Sequence, residues 1–339
     1  MLTGHTGFKG AWASIWLARL GARVTGLALP PETEPSLWSL VGSGLLEDEI
    51  HGDIRDPGIV AEAVERSDPQ IVIHMAAQSL VRRSYAQPVG TFATNLMGTV
   101  HVLEAARGRQ ALETALIITT DKVYANNDEG RDFVEDDALG GDDPYSASKA
   151  CAELATASYA ASFYAAGGAR LATARAGNVI GGGDWSEDRL IPDVWRAAAR
   201  GDAIELRHPD ATRPWQHVLE PLSGYLAYIE ALARAQDLPQ ALNFGPPAGA
   251  SATVASVAEA MASAIGSPTA WRVAEGPTPP EMKLLSIDPS RAIASLGWRP
   301  RLSCEQAVAW TGSWYARWGA GADPLQLCQA QIDDYEALP

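Results

Sequence analysis

Three glycines recur at every third position near the start of the chain, at Gly4, Gly7 and Gly10. Glycine allows a tight turn and leaves no Cβ between the backbone amides and a ligand. Amides at a helix N-terminus form a favourable site for a pyrophosphate. A helical pattern over residues 9–20 and an apolar strand at Arg23–Leu29 follow the glycines, so the segment predicts a dinucleotide-binding unit.

The first half of the chain alternates strand and helix patterns. Further strands are predicted at Glu49–Gly52, Gln70–Met75, Ala115–Thr119 and Arg170–Ala176, and helices over 57–66, over 88–107 and from Pro144 to about Ala166. The strands are apolar without a polar alternation, which is typical of strands buried on both faces. The sequence therefore predicts an α/β protein with a Rossmann-type, doubly wound parallel sheet.

The second half is less regular, and we predict a smaller C-terminal substrate-binding domain there. The segments Leu219–Ala235 and Ala241–Phe244 read as a helix and a strand that return to the main sheet. The predicted cofactor domain comprises residues 1–178 together with 218–245. The predicted substrate domain comprises residues 179–217 and 246–335.

The glycine loop should follow a full strand at the centre of the sheet, but only Met1 and Leu2 precede Thr3 and Gly4. We therefore expect a chain that begins late and a shortened first strand.

The formal net charge of −15 argues against a polyanionic partner, because nucleic acids and anionic membrane surfaces attract basic patches. No apolar run reaches the length of a membrane span. The three cysteines, Cys151, Cys304 and Cys328, lack metal-binding or redox spacing. We expect free thiols, no bound metal and a cytoplasmic location.

The second predicted strand ends at Leu27-Ala28-Leu29, without an acidic residue for a ribose 2′-hydroxyl or an arginine for a 2′-phosphate. This position therefore leaves the choice between NAD and NADP open. Asp53, followed by Ile54, is interpreted either as a contact on the adenine side or as a helix cap.

A candidate catalytic pair is formed by Tyr145 and Lys149, which share one face of the predicted helix because they are four residues apart. A nearby ammonium, together with a cationic nicotinamide, lowers the pKa of a tyrosine and makes it an acid/base for a hydroxyl group. Thr119 and Thr120 lie at the carboxyl end of the predicted strand upstream, and a hydroxyl there could bind the same reacting oxygen. A surface pair of tyrosine and lysine is the plainer interpretation.

Six blocks of sequence carry a resemblance to a known superfamily: HTGFKGAW (5–12), MAAQSLVRRSY (75–85), TTDKVY (119–124), DPYSASKACAEL (143–154), ARAGNVIGGGDWSEDRLIPD (174–193) and RPWQHVLEPLSGYL (213–226). Together they resemble the extended short-chain dehydrogenases/reductases. Within that superfamily the chain is similar to nucleotide-sugar 4,6-dehydratases, and most similar to the branch that acts on CDP-glucose.

The resemblance implies a reaction on bound NAD in three stages, namely oxidation of the sugar at C4, loss of water across C5 and C6, and reduction at C6. It implies that Tyr145 takes the proton of the 4-hydroxyl and that Thr120 binds the sugar beside it. Asp121 would protonate the leaving 6-hydroxyl. Lys149 would hold the nicotinamide ribose and tune Tyr145.

Most 4,6-dehydratases have a glutamate where this chain has Lys122, and that glutamate is the base for the C5 proton. The CDP-glucose branch is similar to this chain in having lysine. An ammonium cannot accept a proton, so Lys122 is interpreted as neutral through desolvation, as a cation that stabilises the enolate, or as a solvent-facing residue at a strand end.

The resemblance also implies two sets of binding residues. The predicted cofactor contacts are Gly4, Thr6, Gly7, Phe8, Lys9, Gly10, Asp53, Ile54, Ala76, Ala77, Gln78, Asn95, Thr119, Tyr145 and Lys149. The predicted substrate contacts are Ser79, Thr120, Asn178, Arg189, Leu190, Arg213 and His217. Arg189 and Arg213 are the candidates for the diphosphate, with surface ion pairing as their alternative.

Other polar and aromatic residues have plainer interpretations. A structural role is favoured over catalysis for His217. The acidic stretch from Asp128 to Asp143 is interpreted as a solvated loop rather than a metal site. Trp310, Trp314 and Trp318 repeat at helical spacing and predict core or subunit packing. The resemblance implies a homo-oligomer, either a dimer or a tetramer.

Two other functions remain in view. A nucleotide-sugar 4-epimerase uses the same tyrosine and lysine without elimination, and the pair Asp121-Lys122 speaks against it. A non-catalytic NAD-binding sensor has no need of Thr120, Tyr145 and Lys149 together.

Overall fold

The computed structural model describes residues 1–126, 130–164, 168–234, 237–246, 250–267, 270–275 and 285–339. The strands are β1 Leu2–Thr3, β2 Thr25–Ala28, β3 Asp48–His51, β4 Ile71–His74, β5 Thr114–Ile118, β6 Arg170–Ala176, β7 Val179–Ile180, β8 Ile204–Leu206, β9 Thr212–Arg213, β10 Gln216–His217, β11 Ala241–Phe244, β12 Ala252–Thr253 and β13 Trp271–Val273.

Seven of these strands form one parallel sheet in the order β11-β6-β5-β4-β1-β2-β3. The predicted α/β class and doubly wound sheet are thus confirmed. The predicted boundaries of Arg170–Ala176 and Ala241–Phe244 are those observed, and the latter strand pairs with β6 as expected.

The first strand has two residues and lies at the centre of the sheet. Leu2 pairs with Gly26 on one side and with Ile73 on the other. The amino group of Met1 donates to the carbonyl oxygen of Ile71 at 2.8 Å, and burial lowers the pKa of that amino group to about 6.

Two hydrophobic clusters on opposite faces of the sheet explain why the strand sequences are apolar throughout. Along β5, Leu116 and Ile118 belong to one cluster, whereas Ala115 and Ile117 belong to the other. Because successive side chains point to opposite faces, both faces need apolar residues.

The α-helices are α1 Phe8–Arg19, α2 Leu37–Val41, α3 Pro57–Ser67, α4 Val81–Ala86, α5 Pro88–Phe92, α6 Gly98–Ala106, α7 Pro144–Tyr159, α8 Leu190–Arg200, α9 Leu219–Arg234, α10 Val254–Ala264, α11 Ser290–Leu296, α12 Cys304–Gly319 and α13 Pro324–Glu336. The predicted helix over 88–107 consists of α5 and α6 joined by a π-helical turn at Ala93–Met97. A second π-helical turn, Ala160–Tyr164, follows α7. The predicted ends at Ala166 and Ala235, and Asp128 of the acidic stretch, lie outside the described residues.

Three two-stranded sheets lie outside the central sheet. They pair β7 with β10, β8 with β13 and β9 with β12.

The predicted packing role of the tryptophans of α12 is confirmed, since Trp314 is buried and its ring lies 5.9 Å from that of Trp185 and 6.1 Å from that of Trp318. The cysteines Cys151, Cys304 and Cys328 are free thiols.

No helix in the described ranges is both long and apolar enough to cross a membrane. Within the same ranges, no group of three or more histidine, cysteine, aspartate or glutamate residues could hold a metal ion.

Candidate active site

A cavity of about 770 Å³ lies at the carboxyl ends of the central strands. Its wall includes the glycine loop, the residues that follow β2, β4, β5 and β6, the start of α7 and the segment from Gly183 to Asp193. This is the edge at which doubly wound sheets bind ligands.

The glycine loop is packed too tightly for side chains at two of its three glycines. Gly4 has φ of +77°, and a Cβ there would lie 2.7 Å from the amide nitrogen of Ala76. A Cβ on Gly10 would lie 2.0 Å from the carbonyl oxygen of Gly4. Gly7 is the N-cap of α1 and supplies no side-chain cap, so the first amides of this helix are left for a ligand. The loop fits a pyrophosphate.

The ends of β2 and β3 form the side of the cavity where an adenosine is expected. Thr6 Oγ1 donates to the carbonyl oxygen of Leu29 at 2.8 Å. Asp53 lines the cavity and accepts hydrogen bonds from the amide and side chain of Arg55, which lower the pKa of its carboxyl. Asp56, and not Asp53, caps helix α3, so the alternative of a helix cap for Asp53 was wrong.

The segment after β4 is held by buried hydroxyl and amide groups. Thr3 Oγ1 accepts a hydrogen bond from the amide of Ala76 at 3.1 Å. Asn95 accepts from the amide of Gln78 at 2.8 Å and donates to Ser148 Oγ at 2.9 Å. Asn95 is fully buried outside the cavity wall, within the π-helical turn, so it positions the wall rather than contacting a ligand.

A 3₁₀ turn at Asp121–Val123 follows β5 and carries the predicted acid and lysine. Thr120 Oγ1 donates to Asp121 Oδ1 at 2.9 Å, and Lys122 Nζ lies 3.8 Å from the same oxygen. Asp121 is 1% exposed, and among the described residues its Oδ2 has no hydrogen-bond partner. A buried carboxylate oxygen without a partner in the cavity wall is suited to exchange a proton with a ligand.

Tyr145 and Lys149 lie on α7, whose N-terminus is capped by Asp143 through the amide of Ser146 at 2.9 Å. Lys149 Nζ donates to the carbonyl oxygen of Ile118 at 2.8 Å. Burial lowers the pKa of Lys149 to about 8, and the charge of Glu153 opposes this effect.

Burial raises the pKa of Tyr145 to about 12, although hydrogen bonding with Thr120 opposes this effect. The sequence predicts a pKa lowered by the lysine together with a cationic nicotinamide. In the protein alone, the desolvation of the buried phenol outweighs the other effects.

Lys9 brings a further cation to the same cavity. Its Nζ lies 3.4 Å from the hydroxyl of Tyr225 and 5.6 Å from the centre of that ring. Burial, followed by the charges of Arg189 and Lys149, lowers the pKa of Lys9 to about 7. The sequence predicts a cofactor contact at Lys9, but it does not predict the proximity of Lys9 to the candidate pair Tyr145 and Lys149.

Most of the predicted site residues lie in the wall of this one cavity. They are Gly4, Thr6, Gly7, Phe8, Lys9, Gly10, Asp53, Ile54, Ala76, Ala77, Gln78, Ser79, Thr119, Thr120, Asp121, Lys122, Tyr145, Lys149, Asn178, Arg189, Leu190 and Arg213. His217 is an exception, because it is fully buried outside the wall with its ring 5.9 Å from that of Trp12 and 5.7 Å from that of Trp310. The structural interpretation of His217 agrees with this packing, and a direct substrate contact does not.

The substrate side of the cavity contains ion pairs that the sequence did not predict. Asp188 accepts from Arg82 Nη1 at 2.6 Å and from Arg207 Nη2 at 2.9 Å. Arg83 donates to Glu32 and to Glu187, both at 2.7 Å. All six residues line the cavity. The only sequence signal for them was the matched blocks that contain Arg82, Arg83, Glu187 and Asp188.

Arg189 is the predicted diphosphate ligand that follows these acids. Its Nη2 donates to Ser79 Oγ at 3.2 Å, which joins the segment before α8 to the segment after β4. Arg213 is buried at the cavity wall and donates to the carbonyl oxygen of Thr212 at 2.9 Å.

The fold and the cavity have counterparts among known proteins. The model of the GDP-mannose 4,6 dehydratase family matches residues 1–311. The chain belongs to this family. Its sequence is 42% identical over 340 residues to CDP-glucose 4,6-dehydratase of Salmonella typhimurium strain LT2, covering 98% of this chain and 95% of that protein.

Two further proteins are similar at lower identity. The dTDP-glucose 4,6-dehydratase of Actinoplanes sp. is 29% identical, and the match covers 78% of this chain and 79% of that protein. The crystal structure of UDP-glucose 4-epimerase from Thermus thermophilus, a complex with NAD, superposes with a TM-score of 0.80 at 25% identity, covering 95% of this chain and 98% of that chain.

Proposed function

We propose that the protein is a CDP-glucose 4,6-dehydratase, a hydro-lyase that converts CDP-glucose to CDP-4-keto-6-deoxyglucose and water. The observation that carries this proposal is one cavity wall that holds both an acid/base pair for oxidation, Tyr145 with Lys149, and a carboxylate beside an ammonium for elimination, Asp121 with Lys122. The 42% identity to the Salmonella enzyme supports the choice of CDP-glucose.

The residues present fit NAD as cofactor. The glycine loop leaves the first amides of α1 open to a pyrophosphate, and Gly4 and Gly10 have no room for a side chain. Asp53 and Ile54 would lie at the adenosine, and Thr119, Tyr145 and Lys149 at the nicotinamide ribose. When bound, NAD would supply the acceptor for the hydride of C4 and the donor of that hydride to C6.

For the oxidation, Tyr145 accepts the proton of the 4-hydroxyl while Thr120 holds the same oxygen. Because burial raises the pKa of Tyr145, the phenolate needs a cation nearby in order to form. Lys149 provides this stabilisation from the next turn of α7.

For the elimination, Asp121 acts as a carboxylate that accepts the C5 proton at its unpartnered Oδ2 and delivers it to the leaving 6-hydroxyl, so that water departs and the carboxylate is regenerated. The 4-ketone acidifies the C5 proton, so a charge develops on an enolate during this step. Lys122 lies beside Asp121 and stabilises that charge as an ammonium.

On the substrate side, we propose that Asn178, Ser79 and Leu190 contact the sugar nucleotide and that Arg189 and Arg213 bind the diphosphate. Residues 1–178 with 218–245 would form the cofactor domain, and residues 179–217 with 246–335 the substrate domain. The acidic chain would therefore bind two anionic ligands through helix amides and a few arginines.

A direct test incubates the purified protein and NAD with CDP-, UDP-, GDP- and dTDP-glucose and measures the products by mass spectrometry. Loss of one water from CDP-glucose is the expected result. Turnover of dTDP-glucose alone would overturn the choice of base. A sugar inverted at C4 without loss of water would instead favour a 4-epimerase, the activity in the name of the Thermus relative. Binding without any turnover would favour a sensor.

We also propose that the protein is a cytoplasmic homo-oligomer. Val89 is 82% exposed on α5, and Leu154 is 59% exposed on α7, which packs against α5. Such apolar side chains are suited to an interface between subunits. Light scattering should give a dimer or tetramer for the wild type, and a smaller species for a Val89→Asp/Leu154→Asp variant. The three free thiols are compatible with a reducing compartment.

A further inference from the structure

Helix α7 contacts the end of β5 through two successive turns. Lys149 Nζ donates to the carbonyl oxygen of Ile118 at 2.8 Å. One turn later, Glu153 accepts a hydrogen bond from the hydroxyl of Thr119, the next residue of the chain. The lysine of the catalytic pair and Glu153 therefore hold two consecutive residues immediately before Thr120 and Asp121.

Glu153 is the centre of a buried polar network. Its carboxylate also accepts from Thr173 Oγ1 at 2.6 Å and from both Nε and Nη2 of Arg175 at 2.9 Å. The side chains of Glu153 and Arg175 are each 4% exposed. Arg175 in turn donates to the hydroxyl of Tyr124 at 2.8 Å. The buried carboxylate of Glu153 therefore accepts four hydrogen bonds, two of them from a guanidinium.

We propose that Glu153 is a positioning residue for the dehydratase reaction: its buried carboxylate, one turn from Lys149 on α7, fixes the end of β5 against that helix and supplies negative charge to the Lys149 ammonium. Lys149 is buried, and a buried ammonium loses its proton readily unless an anion is close. The pKa of Lys149 is about 8, lowered by burial and raised by the charge of Glu153. This inference concerns the same site and rests on the proposed function for its kinetic consequences.

The other titratable and charged groups around Lys149 do not supply the negative charge that stabilises its ammonium. From β4, burial and then the charge of Lys149 lower the pKa of His74 to about 3. From α1, Lys9 is a further cation. From α7, Tyr145 is held neutral by its raised pKa. From the 3₁₀ turn, the charge of Asp121 acts on Lys9 and Tyr145 and lies beside Lys122. From β6, Arg175 is a cation that Glu153 neutralises.

The first experiment measures the proton on Lys149 without any turnover. The chain has four lysines, so ¹³Cε-lysine NMR gives four signals, and the Lys149→Met variant assigns one of them. We expect the Glu153→Gln variant to lower the pKa of Lys149 by about one unit, a tenfold weaker proton affinity. The Glu153→Asp variant keeps the negative charge, so the pKa of Lys149 in this variant should stay close to its wild-type value. An unchanged titration in Glu153→Gln overturns the proposal.

A matched control separates charge from packing. Thr173→Val removes one hydrogen bond to the same carboxylate and leaves its charge, at a buried residue outside the cavity wall. It should destabilise the protein without moving the titration of Lys149. If Glu153→Gln does not fold because Arg175 is left unpaired, the Glu153→Gln/Arg175→Met variant removes both charges. The proposal requires the lowered pKa in that variant too.

The second experiment is the pH profile of CDP-glucose turnover. The alkaline limb reports loss of the Lys149 proton, so it should move to lower pH in Glu153→Gln and stay in place in Thr173→Val. A fall in rate with an unmoved limb would mean that Glu153 is structural only. If no substrate is turned over by the wild type, the proposed function fails, and the NMR titration still decides the role of Glu153.

Discussion

Lys122 Nζ lies 3.8 Å from Asp121 Oδ1, so an ammonium and a carboxylate that are adjacent in sequence are paired at the cavity wall. Both residues lie in the 3₁₀ turn that follows β5. Lys122 can stabilise negative charge from this position, but as an ammonium it cannot remove a proton.

Replacement of Lys122 by methionine should therefore slow the elimination rather than the oxidation. Loss of one group that stabilises developing charge lowers kcat by about 10²- to 10³-fold. Rapid-quench analysis should show the 4-keto-glucose form of the substrate accumulating before water is lost. The Lys122→Arg variant retains the positive charge, so its kcat should fall less. Wild-type elimination in Lys122→Met would show that the side chain merely faces solvent.

Tyr145→Phe should abolish most of the oxidation and leave substrate binding nearly unchanged. Removal of a general acid/base lowers kcat by about 10²- to 10⁴-fold. Calorimetry with CDP-glucose and a turnover assay separate the two effects. Tyr228→Phe is the matched control, since Tyr228 is also buried but donates its hydroxyl to the carbonyl oxygen of Pro239, outside the cavity wall. Equal losses in both variants would contradict the assignment.

The local parts of the fold were predictable from the sequence. Apolar runs such as Ile71–His74 and Thr114–Ile118 lie between two clusters, and this burial on both faces is what makes the runs continuous. The glycine loop and the spacing of Tyr145 and Lys149 are equally local, because each depends on a few adjacent residues.

The unpredicted parts depend on residues far apart in the chain. Arg82 and Asp188 are 106 residues apart, and nothing in either local pattern pairs them. Lys9 reaches Tyr225 across 216 residues. The pKa of Tyr145 depends on how deeply the fold buries it, which spacing alone does not give. The burial of His217 likewise depends on the tertiary packing around it. The local sequence does not show that burial, so His217 was predicted as a substrate contact.

Gly10→Ala should damage the cofactor site, since the added Cβ would lie 2.0 Å from the carbonyl oxygen of Gly4. Overpacking of this kind destabilises by about 1–3 kcal/mol and would move the backbone that we propose for pyrophosphate binding. We expect a lower melting temperature and weaker binding of NAD by calorimetry. Gly44→Ala is the control, because a Cβ there meets nothing within 4 Å. Wild-type NAD affinity in Gly10→Ala would contradict the close approach of position 10 to the carbonyl oxygen of Gly4.

Two buried histidines should make the protein lose stability in mild acid. Burial lowers the pKa of His74 and of His217 to about 3, from the ordinary value of 6.5. As the pH falls below 6.5, the unfolded chain binds protons at these side chains and the folded protein does not. Stability is therefore lost as the pH falls from about 6.5 towards about 3, by up to about 1.4 kcal/mol per unit for each histidine.

The contribution of His217 can be isolated by replacing it with glutamine. Urea unfolding at about pH 6.5 and about pH 5 should show that the free energy of unfolding falls by about 2 kcal/mol less in His217→Gln than in the wild type. His217→Gln should also be less stable at neutral pH, because the ring packs edge-on against Trp12 and Trp310. His51→Gln, at an exposed side chain, should keep the wild-type dependence on pH. An equal fall in wild type and His217→Gln would mean that His217 is protonated in the folded protein.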